Sequence, residues 1–230
     1  MNKLAQFTRR KNLVIGAIVT VVMIIMAIFA PLIAPYDPIY DADLMVAEEP
    51  PSSSYIFGTD DQGRDIFSRV VYGARISLSV GLISQLMNSI IGITLGLLAG
   101  YFGKWVDDLI MGLTNIMLSI PSIIFALAIM ALLGPGLINV FIALGFTNWS
   151  YTCRITRSQA LYTKNLNYVN ASRALSYGEV NIMITQILPN IVGPILVIAT
   201  LGISGAILIE ASLSFLGLGT QPPTPSWGGM

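Results

Sequence analysis

The sequence predicts an all-α fold, a polytopic bundle of transmembrane helices. Three observations lead there. Apolar residues make up 54% of the 230-residue chain and charged residues only 10%, with a mean hydropathy of +0.75. An ordinary soluble domain is roughly 25% charged, and so few charges cannot cover so much apolar surface in water. Second, charges are absent from the long stretches 13–34, 76–103, 109–153 and 180–209. A helix needs about 20 apolar residues to cross a bilayer core. Third, the basic residues are unevenly spread. With the N-terminus inside, the inner segments are 1–12, 103–108 and 154–189. They hold nine of the twelve Lys and Arg residues, as the positive-inside rule requires.

The counts also exclude several chemistries. Histidine is absent, so His-ligated haem, His-based zinc sites and Ser-His-Asp triads are excluded. The single Cys153 cannot build a disulfide framework or a four-thiolate cluster. Basic and acidic residues balance to zero, so no global field points to nucleic acid. Disorder would need low hydrophobicity and high charge. The chain carries no G-x-x-x-x-G-K-[ST] loop to cradle phosphates, no H-E-x-x-H, no G-x-S-x-G and no repeat of about 20–50 residues. No cofactor and no metal are expected.

Span one, 13–34, follows Lys3, Arg9, Arg10 and Lys11. A secretory signal also starts basic, but its apolar run is about 7–15 residues. This run is longer, and a retained span is expected. The outer loop 35–75 sets Arg64, Arg69 and Arg75 against eight acidic residues. It contains Gly58-Thr59-Asp60-Asp61-Gln62-Gly63-Arg64-Asp65, then Ser68-Arg69 and Gly73-Ala74-Arg75-Ile76-Ser77-Leu78. Asp60 and Asp65 are placed to pair with Arg64, Arg69 or Arg75 and so order the entry to span two. The plainer alternative is an interfacial turn with weak ion pairs. The acidic spacing is not that of a calcium loop.

Span two, 76–103, carries Gly92, Gly96 and Gly100. Small residues four apart make a smooth face that another helix can approach closely. Gln85 and Asn88 lie earlier on the same span, and Asn115, Ser119 and Ser122 lie around Pro121. Polar groups in lipid face a bundle interior or a wet cavity. Gln85, Asn88, Asn115 and Ser119 are therefore candidates for a solute path. Hydrogen bonding between helices is the alternative, and it weighs slightly more for any single residue. Gly134-Pro135-Gly136 divides the next apolar run into spans 109–133 and 137–153.

The inner segment 154–189 holds a helical, amphipathic stretch, 165–190, with Val169, Ala171, Ala174 and Leu175 on spacings near three and four. Asn167 or Asn170 is placed to cap it, and Ser176-Tyr177-Gly178 to break it. Such a helix docks a soluble partner or lies on the membrane surface. Span five starts near 190, after Pro189, and runs to 209. Glu210 then falls near the outer interface, a candidate outer gate; a carboxylate snorkelling or paired at the helix end is the alternative. Five spans place the C-terminus outside. The chain stops at Ser226-Trp227-Gly228-Gly229-Met230 without a polar tail, and a sixth span is expected to be missing. The domains expected are 1–34, the loop 35–75, and the transmembrane domain 76–230.

These residues resemble the membrane subunit of an ABC importer, in the dipeptide, oligopeptide and nickel permease family. The resemblance rests on Gly58 to Asp65, Ser68-Arg69, Gly73 to Leu78, Leu118-Ser119-Ile120-Pro121-Ser122 and Leu133-Gly134-Pro135-Gly136. It continues through Ile187-Leu188-Pro189-Asn190, Glu210 to Gly219, and Gln221 to Gly228, in family order along nearly the whole chain. It implies a permease of the bacterial inner membrane that moves peptides or a chelated metal such as nickel. The implied partners are a homologous second permease, two cytoplasmic ABC ATPase subunits that hold the catalytic activity, and an extracytoplasmic solute-binding protein. The family's "EAA" coupling loop falls on Val169, Asn170, Ala171, Ser172, Arg173, Ala174, Leu175 and Ser176. Here Asn170 replaces the usual Glu, Ser172 the second Ala and Ser176 the usual Gly. Where relatives often carry Arg and Asp three apart, this chain has Gly112 and Asn115. A non-transporting scaffold or degenerate permease fragment, suggested by the missing span, is the other reading.

Overall fold

The computed structural model describes residues 11–230, and these are helical without a named strand. The expectations about the tail before Lys11 lie outside the described residues. The helices in chain order are α1 (Lys11–Ile28), α2 (Ala30–Ile33), α3 (Ile66–Phe102), α4 (Lys104–Ser119), α5 (Ser122–Leu133), α6 (Leu137–Gly145), α7 (Trp149–Thr163), α8 (Asn167–Ala174), α9 (Glu179–Ile182) and α10 (Leu188–Phe215). A π turn, Met183–Ile187, joins α9 to α10. The chain forms two compact units. One holds the described residues up to Ser79 together with Thr220–Met230, and the other is Val80–Gly219.

Three helical stretches are long and apolar enough to cross a membrane: α1, α3, and the continuous run Glu179–Phe215. The pair α4 and α5 passes the same test together but bends by 89° at its break. This departs from the single unbroken helix expected at 109–133. The reason is Pro121, whose ring disfavours helical backbone in the residue before it. Ile120 accordingly stands extended at φ −99°, ψ 124°. The stretch 137–153 also differs from expectation. It is α6 and the start of α7, parted at 146–148. The Gly-Pro-Gly break does fall between α5 and α6, with Gly134 and Gly136 both at positive φ.

In the first unit, the 58–65 motif folds on itself. Gly58 and Gly63 sit at positive φ, and a Cβ on Gly63 would lie 1.8 Å from the Asp43 carbonyl oxygen. Asp65 then accepts hydrogen bonds from the Ser68 amide (2.8 Å) and hydroxyl (2.6 Å). That is an N-cap three residues ahead, and it starts α3 at Ile66, ten residues before the expected start of span two. The Trp227 indole N–H donates to the Val70 carbonyl and its backbone N–H to Ser77 Oγ.

In the second unit, the glycine stripe of α3 meets α7 backbone to backbone. A Cβ on Gly92 would come within 2.6 Å of Thr152 Cβ, one on Gly96 within 2.5 Å of the Cys153 carbonyl, and one on Gly100 within 2.7 Å of Ala160 Cβ. Three apolar clusters complete the packing, the smallest being Ala99, Ile110, Trp149 and Cys153. One gathers Leu97, Tyr101, Val169, Ile182, Ile187 and Ile191. Another gathers Val80, Met130, Val140, Leu144, Ala206 and Leu213. Large apolar side chains elsewhere stay exposed, among them Ile18, Ile28, Leu132, Leu201 and Leu208, as expected for surfaces solvated by lipid rather than water.

Candidate functional site

Two places in the second unit carry the candidate residues. The first is α8. Leu166, not Asn167 or Asn170, is its N-cap, without a side-chain cap bond. Val169, grouped on sequence grounds with the outward contacts, is instead fully buried against Tyr101, Ile182 and Ile187. It holds the helix down. Asn170, Ala171, Arg173, Ala174, Leu175 and Ser176 remain exposed, and Ser172 is half-buried. The guanidinium of Arg173 lies 5.2 Å from the Tyr101 ring centroid, a cation–π distance. The Tyr101 hydroxyl donates to the Glu179 carboxylate. Lys164 Nζ donates to the carbonyls of Gly100 (2.7 Å) and Tyr101 (3.2 Å), which end α3. A cation there satisfies open carbonyls and complements the helix dipole. Burial pushes the Lys164 ammonium below its ordinary pKa, and the nearby Arg173 pushes the same way. Ser176 ends the segment at φ +61°.

The second place is a cavity of about 350 Å³ between α3, α7 and α10. Its polar lining is Gln85, Asn148, Tyr151 and Thr152, and its far wall includes Leu201, Gly202 and Gly205. Gln85, 5% exposed, donates from Nε2 to Ser89 Oγ at 3.1 Å.

The other sequence candidates do not converge on this cavity. Asn88 is spent on structure. Its Nδ2 donates to the Leu144 carbonyl and its Oδ1 accepts from the Asn148 backbone amide, both at 3.1 Å, which ties the end of α6 to the start of α7. Asn115 lies on the exposed side of α4 and accepts from Arg154 Nη2 at 2.7 Å. Ser119 is exposed too and donates to the Ile116 carbonyl. Glu210 is fully buried, and Ser214 Oγ donates to it at 2.7 Å, one turn along α10.

In the first unit, Asp60 accepts from the backbone amides of Gln62 and Arg64 and pairs with Arg64 Nε at 2.8 Å and Arg69 Nε at 3.4 Å. Arg75 forms no ion pair among the described residues. Burial works against the charged form of Asp60, but these hydrogen bonds and the Arg64 charge outweigh it and hold the carboxyl below its ordinary pKa. One ion pair had no sequence signal. Arg157 on α7 grips Asp107 on α4 through both guanidinium and both carboxylate positions, with Nη2 to Oδ2 at 2.5 Å. Two charges 50 positions apart announce nothing until the helices are placed.

Comparison with known proteins bears on both places. Residues 92–230 match the family described as binding-protein-dependent transport system inner membrane component. Residues 3–51 match the N-terminal TM domain of oligopeptide transport permease C. The chain is 44% identical over 231 residues to the di/tripeptide transport system permease protein DppC of Pseudomonas aeruginosa (strain UCBPP-PA14), covering 97% of this chain and 76% of that protein. It is 40% identical over 225 residues to the oligopeptide transport system permease protein OppC of Bacillus subtilis (strain 168), covering 98% of this chain and 73% of that one. Among solved structures, a chain of the MetNI methionine ABC transporter in inward-facing conformations superposes with a TM-score of 0.58 at 21% identity, covering 66% of this chain and 76% of that chain. At that identity the likeness is one of fold.

Proposed function

The chain belongs to the binding-protein-dependent transport system inner membrane component family, and from that premise we propose that it is a permease subunit of a peptide ABC importer. The observation that carries this is the 44% identity to a di/tripeptide permease across 97% of the chain. The relatives named above carry peptide names, so the peptide half of the sequence expectation is retained and the nickel half is not. Nothing in the fold favours a non-transporting scaffold. As permeases of this family are transport components, ATP hydrolysis is expected on partner subunits, with solute delivered by a binding protein and a second permease completing the path. The charge bias supports a cytoplasmic N-terminus.

The exposed face of α8, Asn170, Ala171, Ala174, Leu175 and Ser176, is the proposed contact for the ATPase, with Val169 anchoring it. Small side chains there let a partner come close; the Arg173–Tyr101 contact offers a route from α8 into α3, and Lys164 ties the end of α7 to the same end of α3. The complete complex, reconstituted in liposomes with ATP on the ATPase side, should accumulate labelled di-alanine only when the binding protein is present on the opposite side. In intact cells, a Ser53→Cys variant should react with an impermeant maleimide and an Asn165→Cys variant should not. A complex that accumulates no peptide, or the reverse labelling pattern, would refute the reading.

A further inference from the structure

The cavity lined by Gln85 contains more hydrogen-bonding capacity than the chain itself uses. Gln85 Oε1 accepts nothing among the described residues, since the one side-chain bond of Gln85 leaves from Nε2. Asn148 begins α7 without a side-chain cap bond. The hydroxyls of Tyr151 and Thr152 likewise make no hydrogen bond among the described residues; Thr152 is 3% exposed and Tyr151, at the rim, is 56% exposed. Four neutral polar groups therefore converge on one space of about 350 Å³ with bonds still to make. Leaving such groups dry inside a membrane protein is costly. No lining side chain is charged, and the remaining wall is aliphatic or glycine.

The placement of the Gln85 carboxamide depends on glycine at one of these positions. A Cβ on Gly202 would lie 2.0 Å from Gln85 Oε1, so any side chain there would expel the carboxamide. Three positions on, Gly205 has nothing within 4 Å of a Cβ, so that position opens onto free space. The carboxamides of Gln85 and Asn148 each offer an acceptor and a donor, which is the complement of a peptide group with one N–H and one C=O.

Resting on the peptide-importer reading, we propose that this cavity is a main-chain recognition site. It takes a neutral peptide amide of the passing solute through Gln85, Asn148 and Thr152, and it makes no demand on the charge of the solute's side chains. The occupant is recognised by its backbone, and the aliphatic wall accepts whatever small apolar group lies beside it.

The test uses the whole importer in liposomes and two probes, tri-alanine and the same molecule with its central amide replaced by an ester. The binding protein also discriminates between these, so the readout is the change in amide-over-ester preference between wild type and variant. Gln85→Leu should reduce that preference about fivefold, the worth of one net hydrogen bond. Gly205→Leu should fill the cavity and lower tri-alanine uptake at least as much, with the ATPase still co-purifying. Wild-type preference in Gln85→Leu together with wild-type uptake in Gly205→Leu overturns the proposal and assigns the cavity to water or lipid. Loss of the second permease from Gly205→Leu, with preference unchanged in Gln85→Leu, assigns it to subunit packing and also overturns it. If the wild-type complex imports neither probe, the importer reading itself fails, and this proposal with it.

Discussion

The 58–65 motif and the 169–176 segment are equally rich in signature residues, yet they spend them in opposite ways. In the motif and the first turn of α3 that follows it, Arg64, Asp65, Ser68 and Arg69 are all buried, and the carboxylates of Asp60 and Asp65 bond groups within the same unit, although Asp65 Oδ1 has no hydrogen-bond partner among the described residues. In the segment, one residue is buried and most of the rest face outward. A motif whose polar groups are consumed internally is holding its own fold. A motif that leaves small and polar groups exposed beside one buried anchor is open to a contact from outside the chain, which is the role proposed for α8. Motif specificity alone does not separate these cases; where the hydrogen bonds go does.

The sharpest way to break this contrast is Ala174→Arg. On a face that docks, the added guanidinium is buried unpaired, which costs about 3–5 kcal/mol, more than a hundredfold in affinity. The ATPase should be lost on purification while the permease keeps its helical circular dichroism. Retention of the ATPase and normal transport would return α8 to the reading of a helix resting on the membrane surface.

Asp60→Asn tests the other half. It leaves Arg69, 5% exposed, without its carboxylate, and should lower stability by about 3 kcal/mol, read as easier tryptic cutting within 43–69. ATPase binding should not change. The wild-type loop should show a related pH dependence. The Asp60 pKa is depressed on folding, so its contribution is fully present above the ordinary value of 3.8 and is lost as pH falls through the lower folded-state value. Asp60→Asn should flatten that acid transition.

The smallest effect expected is at Ser176. It holds φ +61°, which costs a non-glycine residue roughly 1 kcal/mol, and it stands where the family resemblance implies Gly. Ser176→Gly should raise thermal stability by about that amount without changing which partners co-purify.

The lipid-facing character, the Gly-Pro-Gly break, the stop at Ser176 and the smooth stripe at Gly92, Gly96 and Gly100 were legible because each is a local property of composition or spacing. The 89° bend has a local cause in Pro121, but the uniformly apolar run around it masks the break. Val169 was misread for a different reason. An eight-residue helix is too short for its periodicity to say which side is its own core. Asn88 and Gln85 are alike in sequence, two amides one turn apart, and only the placement of Leu144 and Asn148 against Asn88 separates the staple from the carboxamide that lines the cavity. The Asp107–Arg157 grip needed the whole α4–α7 arrangement before it existed as a pair.

The contact of α3 with α7 has a mechanical meaning. Where helices meet through long side chains, rotamer changes take up small displacements like slack in a linkage. At Gly92, Gly96 and Gly100 there are no side chains on the α3 side, and the backbone rests on Thr152, Cys153 and Ala160 directly. The joint therefore has little play. Tilting α7 at its Thr163 end, next to α8, must carry α3 with it along three consecutive turns, and the motion reaches the other end of α7, where Asn148 and Thr152 stand, with little of it absorbed on the way.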